Sequence, residues 1–101
     1  QEEIAQDLHN LLCGAMDTLR VGSSLEFHTD LSAVIDAEAQ QNLLAHIDAM
    51  KRTARWWHAA PLADDVAKTD TYVAPHVFGL ESIDQLTEEQ FGPILHWVTY
   101  K

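Results

Sequence analysis

Gly92-Pro93-Ile94-Leu95-His96-Trp97-Val98-Thr99-Tyr100, at the end of a 101-residue chain, decides how the rest is read. Gly-Pro is a punctuation mark, and the run after it is rich in β-branched and aromatic residues that suit a pleated, half-buried surface. It predicts a strand over 94–100. Working backwards, Ser82-Ile83-Asp84-Gln85 has the spacing of a capping box and predicts a short helical turn. Thr71-Tyr72-Val73-Ala74 and Val77-Phe78 predict a second strand over 71–78, confined to an edge or a bulge because Pro75 lacks an N–H. Arg55-Trp56-Trp57-His58 predicts a short third strand over 55–58, stopped by Pro61. Strand alternation sends one of Trp56 and Trp57 to the core and the other outward. Residues 61–70 read as a polar loop.

Further back the period lengthens to that of a helix. Ile4, Leu8, Leu11, Leu12, Ala15, Met16 and Leu19 share one face of a helix predicted over 3–20, with Glu2, Glu3 and Asp7 at its positive end and Gly22 as the stop. Residues 23–34 carry no helical period and read as loop with short extended pieces. Asp36 can cap a second helix over 36–52, whose buried stripe is Ala39, Leu43, Ile47 and Met50. Helix, helix, strand, strand, turn, strand gives an α/β chain: two helices packed on a small sheet of about three strands, as a single segment over 1–101. The last strand has little sequence after it to cover its faces. Open edges predict a homo-oligomer, strand exchange, or marginal stability.

Sixteen acidic residues against six basic ones give a formal charge of −10, which repels nucleic-acid phosphates and anionic lipids and excludes both as partners. The acids never run longer than two, so they read as solvated faces; a basic protein partner is the one class this field favours. No apolar run approaches the ~20 residues of a membrane span. Cys13, the only cysteine, rules out an internal disulfide and fits a reducing, cytoplasmic setting. It stands one helical turn from His9, a register in which an imidazole can activate a thiol, although a passively packed thiol is the plainer reading. The six histidines show no ligand spacing of the kind zinc needs, and no metal is expected.

Three segments resemble aldehyde dehydrogenases, in particular the aldehyde dehydrogenase half of bifunctional proline-utilisation proteins. Gly14-Ala15-Met16-Asp17-Thr18-Leu19-Arg20-Val21-Gly22 is similar to a "GAM-x-x-L-R-V-G-D-P" run. Thr29-Asp30-Leu31-Ser32-Ala33-Val34-Ile35-Asp36-Ala37-Glu38-Ala39 is similar to "T-D-V-G-P-V-I-D-x-E-A". Tyr72-Val73-Ala74-Pro75, followed by Glu89-Gln90-Phe91-Gly92-Pro93-Ile94-Leu95-His96, resembles the family's "F-V-A-P-T" strand and "E-x-F-G-P-V-L-H-V-V" signature. The order and spacing of all three carry more weight than any one of them. Departures fall at turns: Ser23-Ser24 for Asp-Pro, Ser32-Ala33 for Gly-Pro, Asp70 for Gly and His76 for Thr, with Trp97 and Thr99 unusual in the last strand.

The resemblance implies a partial catalytic domain of an NAD-dependent enzyme oxidising glutamate semialdehyde to glutamate. It places the nucleophilic cysteine, the general base and the dinucleotide-binding glycines before the first helix, and a "P-F-G-G" segment after Lys101, so no catalytic residue is expected here and no turnover by these residues alone. One role carries over: Glu89 corresponds to the glutamate that accepts from the nicotinamide-side ribose hydroxyls, and Phe91 to the aromatic residue beside that ribose. The competing expectation is non-catalytic: a degenerate aldehyde dehydrogenase-like remnant, or an unrelated acidic interaction module, binding a basic partner protein.

Overall fold

A computed structural model describes the whole chain, residues 1–101. Its centre is β2 (His76–Leu80), a strand in which every residue is buried. β1 (Trp56–Ala59) pairs with it antiparallel, Trp57 opposite Phe78, and β3 (Ile94–Val98) pairs parallel, Phe78 opposite His96, giving the order β1-β2-β3. Period-two alternation then divides the sheet between two helices. Phe78 and Leu80 face α2 (Ala37–Thr53) and join Leu43, Ile47, Met50 and Val73 in the larger core. Val77 faces the other way and joins Met16, the last residue of α1 (Glu2–Met16), with Ala60 in a smaller core. The layering is helix, sheet, helix, and the two-helix, three-strand α/β expectation stands.

Local chemistry sets the boundaries. Asp36 caps α2, its carboxylate accepting from the Ala39 N–H at 2.8 Å. Ser82 and Gln85 close the expected box around a 3-10 turn (Ile83–Gln85): the Asp84 N–H donates to Ser82 Oγ and the Ser82 N–H to Gln85 Oε1, both at 3.2 Å. Gly79 sits mid-strand because Trp56 lies across it; a Cβ there would stand 2.1 Å from the indole Nε1. The pair Trp56 and Trp57 alternates as expected. Trp56 is half-buried under α1, edge-on to His9, and Trp57 is exposed on the α2 side with Lys51 Nζ 4.3 Å from its ring centre.

Four spans differ from the sequence reading by more than a one-residue shift. The first helix, expected over 3–20, ends at Met16, because the N–H groups of Thr18 and Leu19 turn back to the carbonyls of Ala15 and Met16, and the Arg20 carbonyl is taken by the N–H groups of Asp30 and Leu31. The strand expected over 71–78 occupies 76–80 instead. Residues 71–75 form no strand, and the carbonyls of two of them are taken from elsewhere: Val34 N–H donates to the Thr71 carbonyl, and Gln40 Nε2 to that of Tyr72. Pro75 has no N–H to offer, so the ladder opens only at His76, whose N–H donates to the Pro93 carbonyl. The loop at 61–70 contains one helical turn, α3 (Asp64–Ala67), with acids in its first turn. The final strand stops at Val98 rather than 100, since the Tyr100 carbonyl accepts from the Glu2 N–H that opens α1.

Both outer strands keep an open edge. The periodic face of α1 is geometrically present but only half used. Leu12 and Met16 pack on the sheet, whereas Ile4, Leu8 and Leu11 face solvent, Leu11 at 70% exposure.

Candidate functional site

The site is organised by a glycine. At Gly92 a Cβ would lie 2.5 Å from a Leu43 methyl, so the stretch leading into β3 can press directly on the buried stripe of α2. Its φ is not positive; close approach, not backbone freedom, is what this glycine provides. Pressed there, Glu88, Glu89, Gln90 and Phe91 form one wall of an open cleft of about 500 Å³, and Ala39, Asn42, Leu43 and Ala45 of α2 form the other. Glu89 is exposed and makes no hydrogen bond or ion pair within the chain. Phe91 is 81% exposed and belongs to neither core. Glu88 has only a long contact from Gln90 Nε2 at 3.4 Å, so two adjacent carboxylates stand free at the mouth. The two expected site residues are thus brought to one cleft.

Behind the cleft lies a pair that sequence spacing does not reveal. His46 of α2 and His96 of β3 meet with Nε2 atoms 2.9 Å apart. Burial pushes both imidazoles below the ordinary histidine range; Glu88 pulls His46 back up, and the neighbouring His46 pushes His96 further down. The signal was periodic. His46 stands three residues after Leu43 and four before Met50, beside the buried stripe, and His96 shares a strand face with Ile94 and Val98. Neither observation alone pairs them. A third imidazole, His76, is buried between Trp57 and Phe78; its Nδ1 meets the Ala74 carbonyl at 2.7 Å and its Nε2 has no partner. Desolvation holds its pKa down, opposed by that carbonyl and reinforced by the charges of Lys51 and His58.

Cys13 lies on α1, across the sheet from the cleft. His9 Nε2 is 3.6 Å from its sulfur, yet burial and then the charge of Asp17 push the thiol up, away from a reactive thiolate. No three His, Cys, Asp or Glu side chains converge where one metal ion could be held.

The model of the aldehyde dehydrogenase family matches residues 1–101. The chain belongs to the aldehyde dehydrogenase family. It is 38% identical to the bifunctional protein PutA of Klebsiella aerogenes over 104 aligned positions, which cover 99% of this chain and 8% of that protein. PutA of Escherichia coli K12 is 36% identical over the same span. Among solved structures, a point mutant of Bradyrhizobium japonicum proline utilization A superposes on all of this chain and 10% of its own, with a TM-score of 0.90 at 42% identity. Betaine aldehyde dehydrogenase of Staphylococcus aureus, solved in complex with NAD+, shares the fold at a TM-score of 0.79 and 22% identity, covering 98% of this chain and 20% of that one. The chain spans less than a tenth of the length of the PutA relatives it matches. Within this family its helix-sheet-helix layering is part of a larger domain, which accounts for the open strand edges and the uncovered face of α1.

Proposed function

We propose that these residues contribute one wall of the cofactor site in an NAD-dependent aldehyde dehydrogenase of proline catabolism, oxidising glutamate semialdehyde to glutamate. The observation that carries this reading is the free carboxylate of Glu89 beside the exposed ring of Phe91, held at the cleft mouth by the Gly92–Leu43 contact. A carboxylate accepts from two adjacent hydroxyls at once, and an exposed ring can cover the apolar side of a sugar. The same pair of acceptors does not suit a phosphate, because Glu88 and Glu89 stand together in a chain of charge −10. The fit is therefore to the ribose of a dinucleotide, with its pyrophosphate held by other parts of the enzyme. When bound, the nicotinamide supplies the hydride acceptor. Glu89 and Phe91 orient it by fixing the sugar, and orientation of this kind lowers the entropic part of a barrier.

The nucleophile and base fall to other parts of the polypeptide, since Cys13 is on the wrong side of the sheet with its pKa raised. The chain is not catalytically competent alone, and its partner is the rest of the parent enzyme. Thiol chemistry of this kind goes with a reducing, cytoplasmic setting.

In the full-length enzyme, Glu89→Gln removes a charge-assisted acceptor and is expected to weaken NAD+ binding about tenfold to a hundredfold, measured as KM and by calorimetry. An affinity equal to that of the parent enzyme would sink the ribose assignment. The purified 101-residue chain is expected to make no NADH from any aldehyde.

A further inference from the structure

His46 and His96 come from α2 and β3, 50 residues apart, and their rings meet through their Nε2 atoms at 2.9 Å with the ring planes nearly perpendicular. That distance requires a proton between the two nitrogens, donated by one ring to the lone pair of the other. The pair sits one helical turn beyond Asn42 in one cleft wall and two residues beyond Ile94, where the other wall runs into the sheet. It is the second fastener of that segment to α2, after Gly92 on Leu43.

We propose that the His46–His96 pair is a proton-sensitive brace that positions the Glu89 cleft. In the neutral pair one Nε2–H donates to the other Nε2. A first added proton goes to the free Nδ1 of the donor ring and leaves that bond in place, now charge-assisted. A second must occupy the accepting Nε2, so two N–H groups face each other and the brace opens. The inference deepens the ribose reading and rests on it.

The charges facing the pair come from three elements. Glu88, at the cleft rim, favours the charged form of His46, and each histidine opposes charge on the other. On β2, His96 stacks on Phe78, which also stacks on His76. The two histidines therefore titrate as a coupled pair, the second step on the acid side of the ordinary range.

The test is NAD+ calorimetry on the full-length enzyme between about pH 7.5 and 5, with nitrogen-detected histidine NMR of the 101-residue chain. The expected result is a coupled titration of His46 and His96, and NAD+ affinity falling about tenfold per pH unit beyond the second step. His46→Gln keeps a bond at every pH, because its amide donates to a neutral His96 and accepts from a charged one, and the acid-side fall should flatten. His46→Leu should weaken binding at all pH values alike. Independent titration of the two rings, or an acid-side fall in His46→Gln as steep as in the parent, overturns the brace. A Glu89→Gln enzyme with undiminished NAD+ affinity overturns the ribose reading instead, while the NMR still reports whether the two rings are coupled.

Discussion

The two faces of the sheet are built to different standards of closure. On the α2 side, Leu43, Ile47, Met50, Val73, Phe78 and Leu80 bury one another, with Val34, Leu86, Ile94 and Val98 around them. On the α1 side only Met16, Ala60 and Val77 are buried, and half of the helix's apolar stripe faces water. The difference teaches where this piece of an aldehyde dehydrogenase is self-sufficient. The α2 side is a finished core and carries the cleft. The α1 side is a surface waiting for neighbours. The PutA relatives have more than ten times this chain's length in which to supply them.

The sharpest way to break the comparison is to hollow the finished side. Phe78 is fully buried beneath α2. Phe78→Ala is expected to cost about 3–5 kcal/mol, from lost burial and from the cavity left behind. Met16→Ala, at the edge of the smaller core, should cost less, since its surroundings can collapse more readily. Urea denaturation of the two variants measures the ratio. Equal losses would mean that the two faces are equally closed in solution.

Acid should loosen the same side. His46, His76 and His96 all lie on the α2 face, and burial holds each below its unfolded pKa. A group with a depressed folded pKa is less protonated in the native state than in the unfolded one. Its contribution is complete above about pH 6.5 and is lost as pH falls through that value towards the folded one. Stability should therefore decline from neutral pH towards pH ~5. Acidification also relieves repulsion within a chain of charge −10, so the clean comparison is between variants. His76→Phe keeps an aromatic ring between Trp57 and Phe78 and removes the partnerless Nε2. Its decline with acid, followed by denaturation across this range, should be shallower than the parent's. A parallel decline would show that His76 is not among the groups responsible.

How much of this was legible in the sequence follows the same division. Both helices, the cap at Asp36, the box at Ser82 and Gln85, and the alternation of Trp56 and Trp57 were readable because each rests on chemistry within a few residues. The strand at 76–80 was misplaced because the β-prone residues 71–75 spend their hydrogen bonds on Val34 and Gln40, far away in sequence, and not on a ladder. Family resemblance singled out Glu89 and Phe91, and folding brings both to one cleft. It was silent on the wall opposite, which only the contact of Gly92 with Leu43 defines. The histidine pair was out of reach for the same reason: two unremarkable positions become a unit only when β3 is laid beside β2 under α2.

The smallest expected effect tests the unfinished side. Leu11 is 70% exposed on α1, so Leu11→Ser in the 101-residue chain removes almost no buried surface and should change stability by no more than about 0.5 kcal/mol. In the full-length enzyme the same substitution should be felt as a core change of about 2–5 kcal/mol, because the face that Leu11 shares with Ile4 and Leu8 is then covered. Denaturation at several protein concentrations separates the outcomes. A large loss in the short chain that grows with concentration means that two copies cover this face for each other, as open sheet edges and bare leucines invite. A small loss at every concentration means that two copies do not cover this face for each other.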